Sequence, residues 1–545
     1  MTKPVIYQLL PRLFGNMNSQ CVRDGSIEQN GCGKMADITN DVLRSLVQLG
    51  VTHVWYTGVI RHATQTDYSR HNIPRNNPHV VKGKAGSPYA IVDYYDVDPD
   101  LAIDVERRQD EFDELVMRTH QAGLKVILDF VPNHVAREYH SIAKPNGVSD
   151  LGEGDNLGMF FAPDNNFYYL TGQSFAPTMG CGDYYEYPAR ATGNDCFTAT
   201  PGKDDWYETV KLNYGIDPWN GNHHFHPIPD TWHKMLHIIL YWAGRGIDGL
   251  RCDMAHMVPV EFWHWAIAQV KQQYPHLIFI AEIYDVALYD SYIHYGGFDY
   301  LYDKVTLYDS LINILINNLN ASELSHCWQT VNPWRDHMLH FMENHDEVRL
   351  ASAHLCDDPM IARPALVVSA TIDRGPMMVY NGQELGEKGD EAEGYRGADG
   401  RTTIFDYWSM STMRQWLAKG KLNGRHRLRD YYKKVLRLCN QELAISQGEM
   451  FDLMYVNPQL DRQYAYLRYH DGELLLIVAN FAHHEVTIEV NIPSHAFEHL
   501  HLTEGNHHAT ELLHCDKSQF RLVPDQALTL TVGTHDAVAW KFFDK

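Results

Sequence analysis

VERRQDEFDELVMRTHQAGLKVILDFVPNH, residues Val105–His134, contains the unit from which most of this chain is built. Its first part carries apolar residues at helical spacing and ends at Gly123 in a glycine stop. Lys125–Phe130 then reads as a short apolar strand. Three polar residues, Asp129, Asn133 and His134, stand where that strand ends. The same alternation recurs up to Ile445. Strands are predicted at Val5–Leu10, His53–Thr57, Lys125–Phe130, Gly249–Cys252, Ile278–Glu282, Tyr300–Lys304, Leu339–Met342 and Met377–Tyr380, and TWHKMLHIILYWAGRG (Thr231–Gly246) is a further helix between two of them. Strand and helix in repetition imply a parallel sheet with helices outside it, and eight such strands point to a (β/α)8 TIM barrel.

Two stretches break the rhythm. Residues 135–214 are rich in Gly, Asn, Asp, Pro and aromatics with little periodicity, too long for a plain loop, and read as a small inserted domain after the third strand. After Ile445 the pattern turns to strands only: MFDLMYV, QYAYLRY, ELLLIVANF, VTIEVNI, ALTLTV and AVAWKFF, separated by turns such as His470-Asp471-Gly472. That is the pattern of an antiparallel β-sandwich. The chain divides into a first barrel part (1–134), the insertion (135–214), a second barrel part (215–445) and the sandwich (446–545).

Composition narrows the function. Among 545 residues, 69 acidic against 46 basic side chains give a net charge of −23, which repels phosphate backbones and anionic lipid headgroups. Nucleic acid and membrane surfaces are therefore not expected partners. Aromatic residues make up 12%, which suits flat amphipathic ligands as well as a large core. No apolar run reaches membrane-spanning length. The opening MTKPVIYQLLPRLF lacks the apolar core and cleavage site of a signal peptide, so a cytoplasmic location is expected. Nine cysteines, an odd number spread over the chain, do not form a disulfide framework, although Cys21/Cys32 and Cys181/Cys196 lie near one another in loop-like sequence.

In a parallel barrel, functional side chains gather where strands end. ILDFVPNH ends the third strand. GIDGLRCDMAH (Gly246–His256) carries Arg251 and Asp253 two apart, hence on one face of the fourth. FIAEIYD puts Glu282 at the end of the fifth, and FMENHDEVR sets Asn344, His345 and Asp346 together after the seventh. A single acid at a strand end is most often a cap or a solvated loop residue. Four polar ends on apolar strands are harder to dismiss, because buried charges without partners are costly. Zinc spacing, HExxH and glycine-rich phosphate loops are all missing. Paired carboxylates with a supporting arginine suit glycoside hydrolysis.

These motifs resemble the four signature regions of the α-amylase superfamily, glycoside hydrolase family 13: DFVPNH, GLRCD, the Glu of FIAEIYD, and ENHD, in the family's order and spacing. IYQLLPRLF resembles its first strand, YNGQELGE its eighth-strand motif, and the insertion and sandwich its domains B and C. The resemblance implies a retaining enzyme on α-1,4-glucans (starch, glycogen fragments or maltooligosaccharides), with Asp253 as nucleophile, Glu282 as general acid/base and Asp346 as the third carboxylate. Arg251 beside Asp253 should keep the nucleophile ionised, and burial among other acids should hold the proton on Glu282. His134 and His345 would hydrogen-bond the reacting sugar, and Tyr89 in SPYAIVDYYDVDP would stack on it. Where exo-acting α-glucosidases of the family usually follow that tyrosine with Asp, this chain has Ala90, which favours chain-internal binding. The family's structural calcium would take Asn133, with Asp150, Asp155 or Asp164 of the insertion as carboxylate ligands. Its usual Lys-His after the nucleophile is here Ala255-His256-Met257. No organic cofactor is implied. A transglycosylase or sugar phosphorylase of the same family, or a non-catalytic carbohydrate-binding relative, are the alternative readings. At least one of Phe160, Phe161, Phe167, Tyr168 and Tyr169 is expected to line the cleft as a sugar platform.

Overall fold

The computed structural model describes residues 3–394, 397–418 and 425–543. Eight parallel strands close a barrel: β1 (Val5–Leu9), β2 (His53–Tyr56), β3 (Lys125–Phe130), β4 (Gly249–Cys252), β5 (Ile278–Ala281), β6 (Tyr300–Tyr302), β7 (Met338–Phe341) and β8 (Met377–Tyr380). Each strand pairs with its neighbours in sequence, and β1 closes the ring on β8 through Val5–Met377 and Gln8–Tyr380. The predicted strands are met to within two residues.

Helices cover the outside. α1 (Asn40–Leu49) is capped by Thr39 and stopped by Gly50 at φ +108°, and it buries Val42, Leu43, Leu46 and Leu49 on one face. α2 (Arg108–Gln121) buries Phe112, Leu115 and Val116 before Gly123 turns the chain at φ +82°. α3 (Asp230–Gly244) and α4 (Val260–Gln273) flank β4 in sequence.

The inside of the barrel is packed rather than hollow. Ile6, Trp55, Ile127, Ile280, Tyr302, Leu339 and Met378 form one interior cluster, contributed by every strand but β4. On β4 the same inward face carries Gly249 and Arg251. A Cβ on Gly249 would lie 2.5 Å from Ile278 Cγ1, so the absence of a side chain there admits the neighbours and leaves the next inward position to the arginine.

An irregular excursion follows β3, held by the short pairing of His134–Ala136 with Thr209–Lys211. Beyond the barrel, six strands form an antiparallel sheet in the order β9 (Glu449–Asp452), β10 (Gln463–His470), β11 (Glu473–Asn480), β16 (Asp536–Phe543), β13 (Gly505–Glu511), β14 (Lys517–Leu522). β12 (Val486–Asn491) and β15 (Ala527–Val532) pair separately as the second layer. Two features depart from the sequence reading. Gly505–Glu511 and Lys517–Leu522 are strands although their alternation is masked by His, Lys and Arg. Ser494–Leu500 is a helix, which buries Ala496, Phe497 and Leu500 at helical spacing. Among the described residues no helix is long and apolar enough to cross a membrane.

Candidate active site

β3 and β4 run level, with Arg251 opposite Asp129. That register brings the inward-facing guanidinium of β4 against a carboxylate of β3, with Asp253 one inward position further along. Arg251 is wholly buried. Its Nη1 donates to Asp253 Oδ1 at 2.8 Å and to Asp129 Oδ1 at 3.4 Å, Nη2 lies 2.7 Å from Glu282 Oε2, and Nε donates to the Tyr302 hydroxyl at 3.2 Å. The rings of Trp55, Tyr89 and Tyr302 surround it at 5.3–5.5 Å. One cation therefore serves three buried carboxylates, not Asp253 alone as the sequence suggests.

Met254, directly after Asp253, adopts a left-handed backbone at φ +43° and aims its N–H at Glu282 Oε2, 2.9 Å away. An uncommon conformation for a bulky residue, it places backbone strain between two buried carboxylates. The Tyr284 hydroxyl donates to the other Glu282 oxygen. Asp253, Glu282, Asp346, Tyr89 and His134 line one cavity of about 150 Å³ at the barrel mouth. Through Lys82, Trp206 and Phe405 this cavity adjoins a cleft of about 970 Å³. Asp346, at 38% side-chain exposure, is the most open of the three acids, and its Oδ2 lies 3.1 Å from His345 Nε2.

Electrostatics follow from burial. Burial pushes Asp253 well above the usual carboxylate range; Arg251 pulls it down, while Glu282 and Asp129 push it up. Asp129 is carried to about 6 by burial, against the pull of Arg251. Burial and then the Lys211 charge drive His134 down to about 3, so its imidazole is neutral at physiological pH. His345, lowered by burial, sits behind the cavity wall: Gln8 Nε2 lies 2.8 Å from its Nδ1, the Tyr89 hydroxyl 2.6 Å from its Nε2, and the Tyr89 ring stacks on it at 5.2 Å.

Asn133 does not face the cavity. Its Nδ2 donates to the Gly193 carbonyl at 2.7 Å, and its Oδ1 accepts from the Lys211 ammonium. Asp150 caps the Ser141 and Leu151 amides, and Asp155 receives the Asn166 amide and the Tyr169 hydroxyl, so neither carboxylate of the insertion is directed at Asn133. The carboxylate next to that amide is Asp195, 2.7 Å from the same ammonium. A donor set already bonded to a lysine does not fit calcium, which takes six to eight oxygens of its own. The residues of the insertion also differ from expectation. Phe167, Tyr168 and Tyr169 are buried, Phe160 packs on Trp219 and Phe161 on His224, and none of the five lines the cavity. The insertion ring that does line it is Trp206, set against His134 at 5.2 Å.

Trp206 and Lys211 carried no spacing signal in the sequence, because the insertion has no periodic pattern to place them. Tyr284 had one: it stands two residues beyond Glu282.

A family profile described as the α-amylase catalytic domain matches residues 8–188 and 226–430. The α-1,4-glucan:maltose-1-phosphate maltosyltransferase of Cereibacter sphaeroides is 35% identical over 65 residues, 12% of this chain and 11% of that protein. Maltase 1 of Drosophila virilis is 26% identical over 259 residues, 46% of this chain and 31% of that one. The matched stretches thus span less than a third of either relative. Among solved structures, the noncanonic maltogenic α-amylase AmyB of Thermotoga neapolitana superposes with a TM-score of 0.65 at 19% identity, over 99% of both chains. An α-amylase of Geobacillus thermoleovorans, complexed with acarbose, gives 0.65 at 18% identity, over 99% of this chain and 98% of that one. At such identities the likeness is one of fold.

Proposed function

The chain belongs to the α-amylase family, and from that footing we propose that it is a retaining glycoside hydrolase cleaving α-1,4-glucosidic bonds in starch, glycogen fragments or maltooligosaccharides. The observation that carries this reading is the shared guanidinium. Arg251 binds Asp253 through one terminal nitrogen and abuts Glu282 with the other, so both carboxyl groups lie against one guanidinium. Direct displacement needs carboxyl groups about 5–5.5 Å apart, whereas an inverting reaction needs roughly 6.5–9.5 Å to admit a water between them.

In the reaction, an Asp253 oxygen attacks the anomeric carbon while Glu282 gives its proton to the leaving glycosidic oxygen. The carbon–oxygen bond to the leaving sugar breaks as the glycosyl ester forms. Glu282, now ionised, takes a proton from water, whose oxygen attacks the same carbon and frees Asp253. Attack requires the charge on Asp253, which Arg251 favours and burial opposes. Asp346 grips sugar hydroxyls as the ring flattens, and neutral His134 donates or accepts at the same sugar. Tyr89 forms the wall on which that sugar packs. Ala90 leaves the inner end without an extra carboxylate for a terminal glucose, which favours binding within a chain.

Maltoheptaose digestion followed by chromatography, with NMR of the first-formed anomer, tests the reading. Shorter sugars with fresh α-anomer are expected, and Glu282→Gln should abolish turnover of substrates with poor leaving groups. Fresh β-anomer would overturn the covalent mechanism. Longer sugars would instead support a transglycosylase, the reading favoured by the maltosyltransferase relatives; Asp253→Asn with full activity would overturn the nucleophile assignment, and binding of maltoheptaose without any turnover would leave only a binding protein.

A further inference from the structure

Lys211 ends the short strand Thr209–Lys211 and pairs with His134. Its side chain is 8% exposed and directed inward, an unusual fate for a lysine. The ammonium meets three oxygens from three separate segments: Asn133 Oδ1 after β3, Asp195 Oδ1 of the insertion at 2.7 Å, and the Met257 carbonyl after β4 at 3.2 Å. Three donors meet three acceptors, and only one of those acceptors is charged. The amide of Asn133 is oriented for this role, since its nitrogen is held by the Gly193 carbonyl. Met257 closes the turn Ala255–Met257 directly after the Asp253 loop. One cation thus ties the insertion to the ends of two neighbouring barrel strands.

We propose that the Lys211 ammonium is the resident cation of the cradle in which the family resemblance implies calcium, so that this protein docks its insertion without a metal. The chemistry is that of substitution by charge. Amide, carboxylate and carbonyl oxygens converging from separate segments repel one another and need a cation among them, and a divalent ion cannot enter while a covalently attached one fills the centre. Lys211 is a positioning residue here. It holds Asn133, and through it the backbone that carries His134, without reaching the cavity itself.

The test is thermal unfolding and limited proteolysis of the full chain, with EDTA or with millimolar calcium chloride, together with calorimetric titration of calcium. The wild type should unfold at the same temperature in both and take up no calcium at this site. Lys211→Met, which fills the same volume without charge, should unfold at lower temperature and be nicked in the insertion roughly tenfold faster, with no recovery in calcium. Lys211→Ala, which opens the cradle, should be weakened in EDTA and recover in calcium. A wild-type unfolding temperature that falls in EDTA and returns with calcium would overturn the proposal. So would a Lys211→Met protein as stable as the wild type, or a Lys211→Ala protein indifferent to calcium. These readouts are of stability and binding, so they stand or fall separately from the glycosidase reading.

Discussion

Replacing Arg251 by methionine should destabilise the fold by about 3–5 kcal/mol at neutral pH, the range for removing one partner of a buried ion pair. The structure supports the upper part of that range. The guanidinium is 0% exposed, and three carboxylates depend on it, at 2.8 Å for Asp253, 2.7 Å for Glu282 and 3.4 Å for Asp129. The deficit should depend on pH in a definite direction. Asp129 already lies at about 6 with the arginine present, above the ordinary carboxylate range, and Asp253 lies well above that range too. Removing the cation raises both further. A carboxyl group whose folded value exceeds its unfolded one stabilises the fold while protonated, and that contribution is lost as pH rises through the folded value. Both proteins share the unfolded value, so the deficit should be smallest below about pH 6, where both folded forms keep the Asp129 proton, and grow as pH rises above it, where the wild type ionises and the variant does not. Urea unfolding followed by tryptophan fluorescence, at neutral pH and near pH 5, measures it against wild type at each pH. Arg251→Met combined with Asp129→Asn should recover part of the loss, because one buried charge is gone. Arg251→Lys keeps a charge but not the fork, and should fall between. A deficit of equal size at both pH values, or none, would refute the shared-counterion account.

Three further outcomes follow from other parts of the molecule. Asp346→Asn, at a partly open side chain, should unfold like wild type yet lose about 10²–10³-fold in kcat, the range for one preorganised electrostatic group. Trp206→Ala should lower kcat/KM on maltooligosaccharides by about two- to tenfold, the value of one aromatic contact at the cavity wall. Burial opposes the charged form of His340, but Asp373 and Asp303, at 3.2 and 3.3 Å, carry it up to about 9. Its contribution is fully present below the unfolded value near 6.5 and lost as pH rises through about 9, so the stability gap between His340→Gln and wild type should narrow across that window.

The barrel was legible because periodicity is a local property: each strand announces itself within five or six residues, and each helix within three turns. The terminal sandwich was legible where strands alternate cleanly. It was not legible at Gly505–Glu511, where histidines occupy both faces, nor at Ser494–Leu500, whose apolar positions are few. The insertion resisted reading for a related reason. Its Phe167 and Tyr169 are buried in the main apolar cluster, and its own small cluster, which includes Leu170, Phe175, Ala189 and Ala199, follows no repeat.

From the sequence alone came the order of elements, the strand ends at which polar side chains stand, and the identity of the residues that line the cavity from β4, β5 and β7. Those are properties of spacing along one chain. What the tertiary structure decided is which groups share which partner. Arg251 and Asp253 are two residues apart and had to lie on one face, but nothing in their spacing says that Asp129 and Glu282, from the strands on either side, lean on the same guanidinium. Nor could spacing reveal that Lys211, 78 positions from Asn133, puts its ammonium against that amide. Register between neighbouring strands and the path of an aperiodic insertion set those meetings, and both are fixed by packing across the whole fold, where a cation finds its oxygens by proximity in space rather than in sequence.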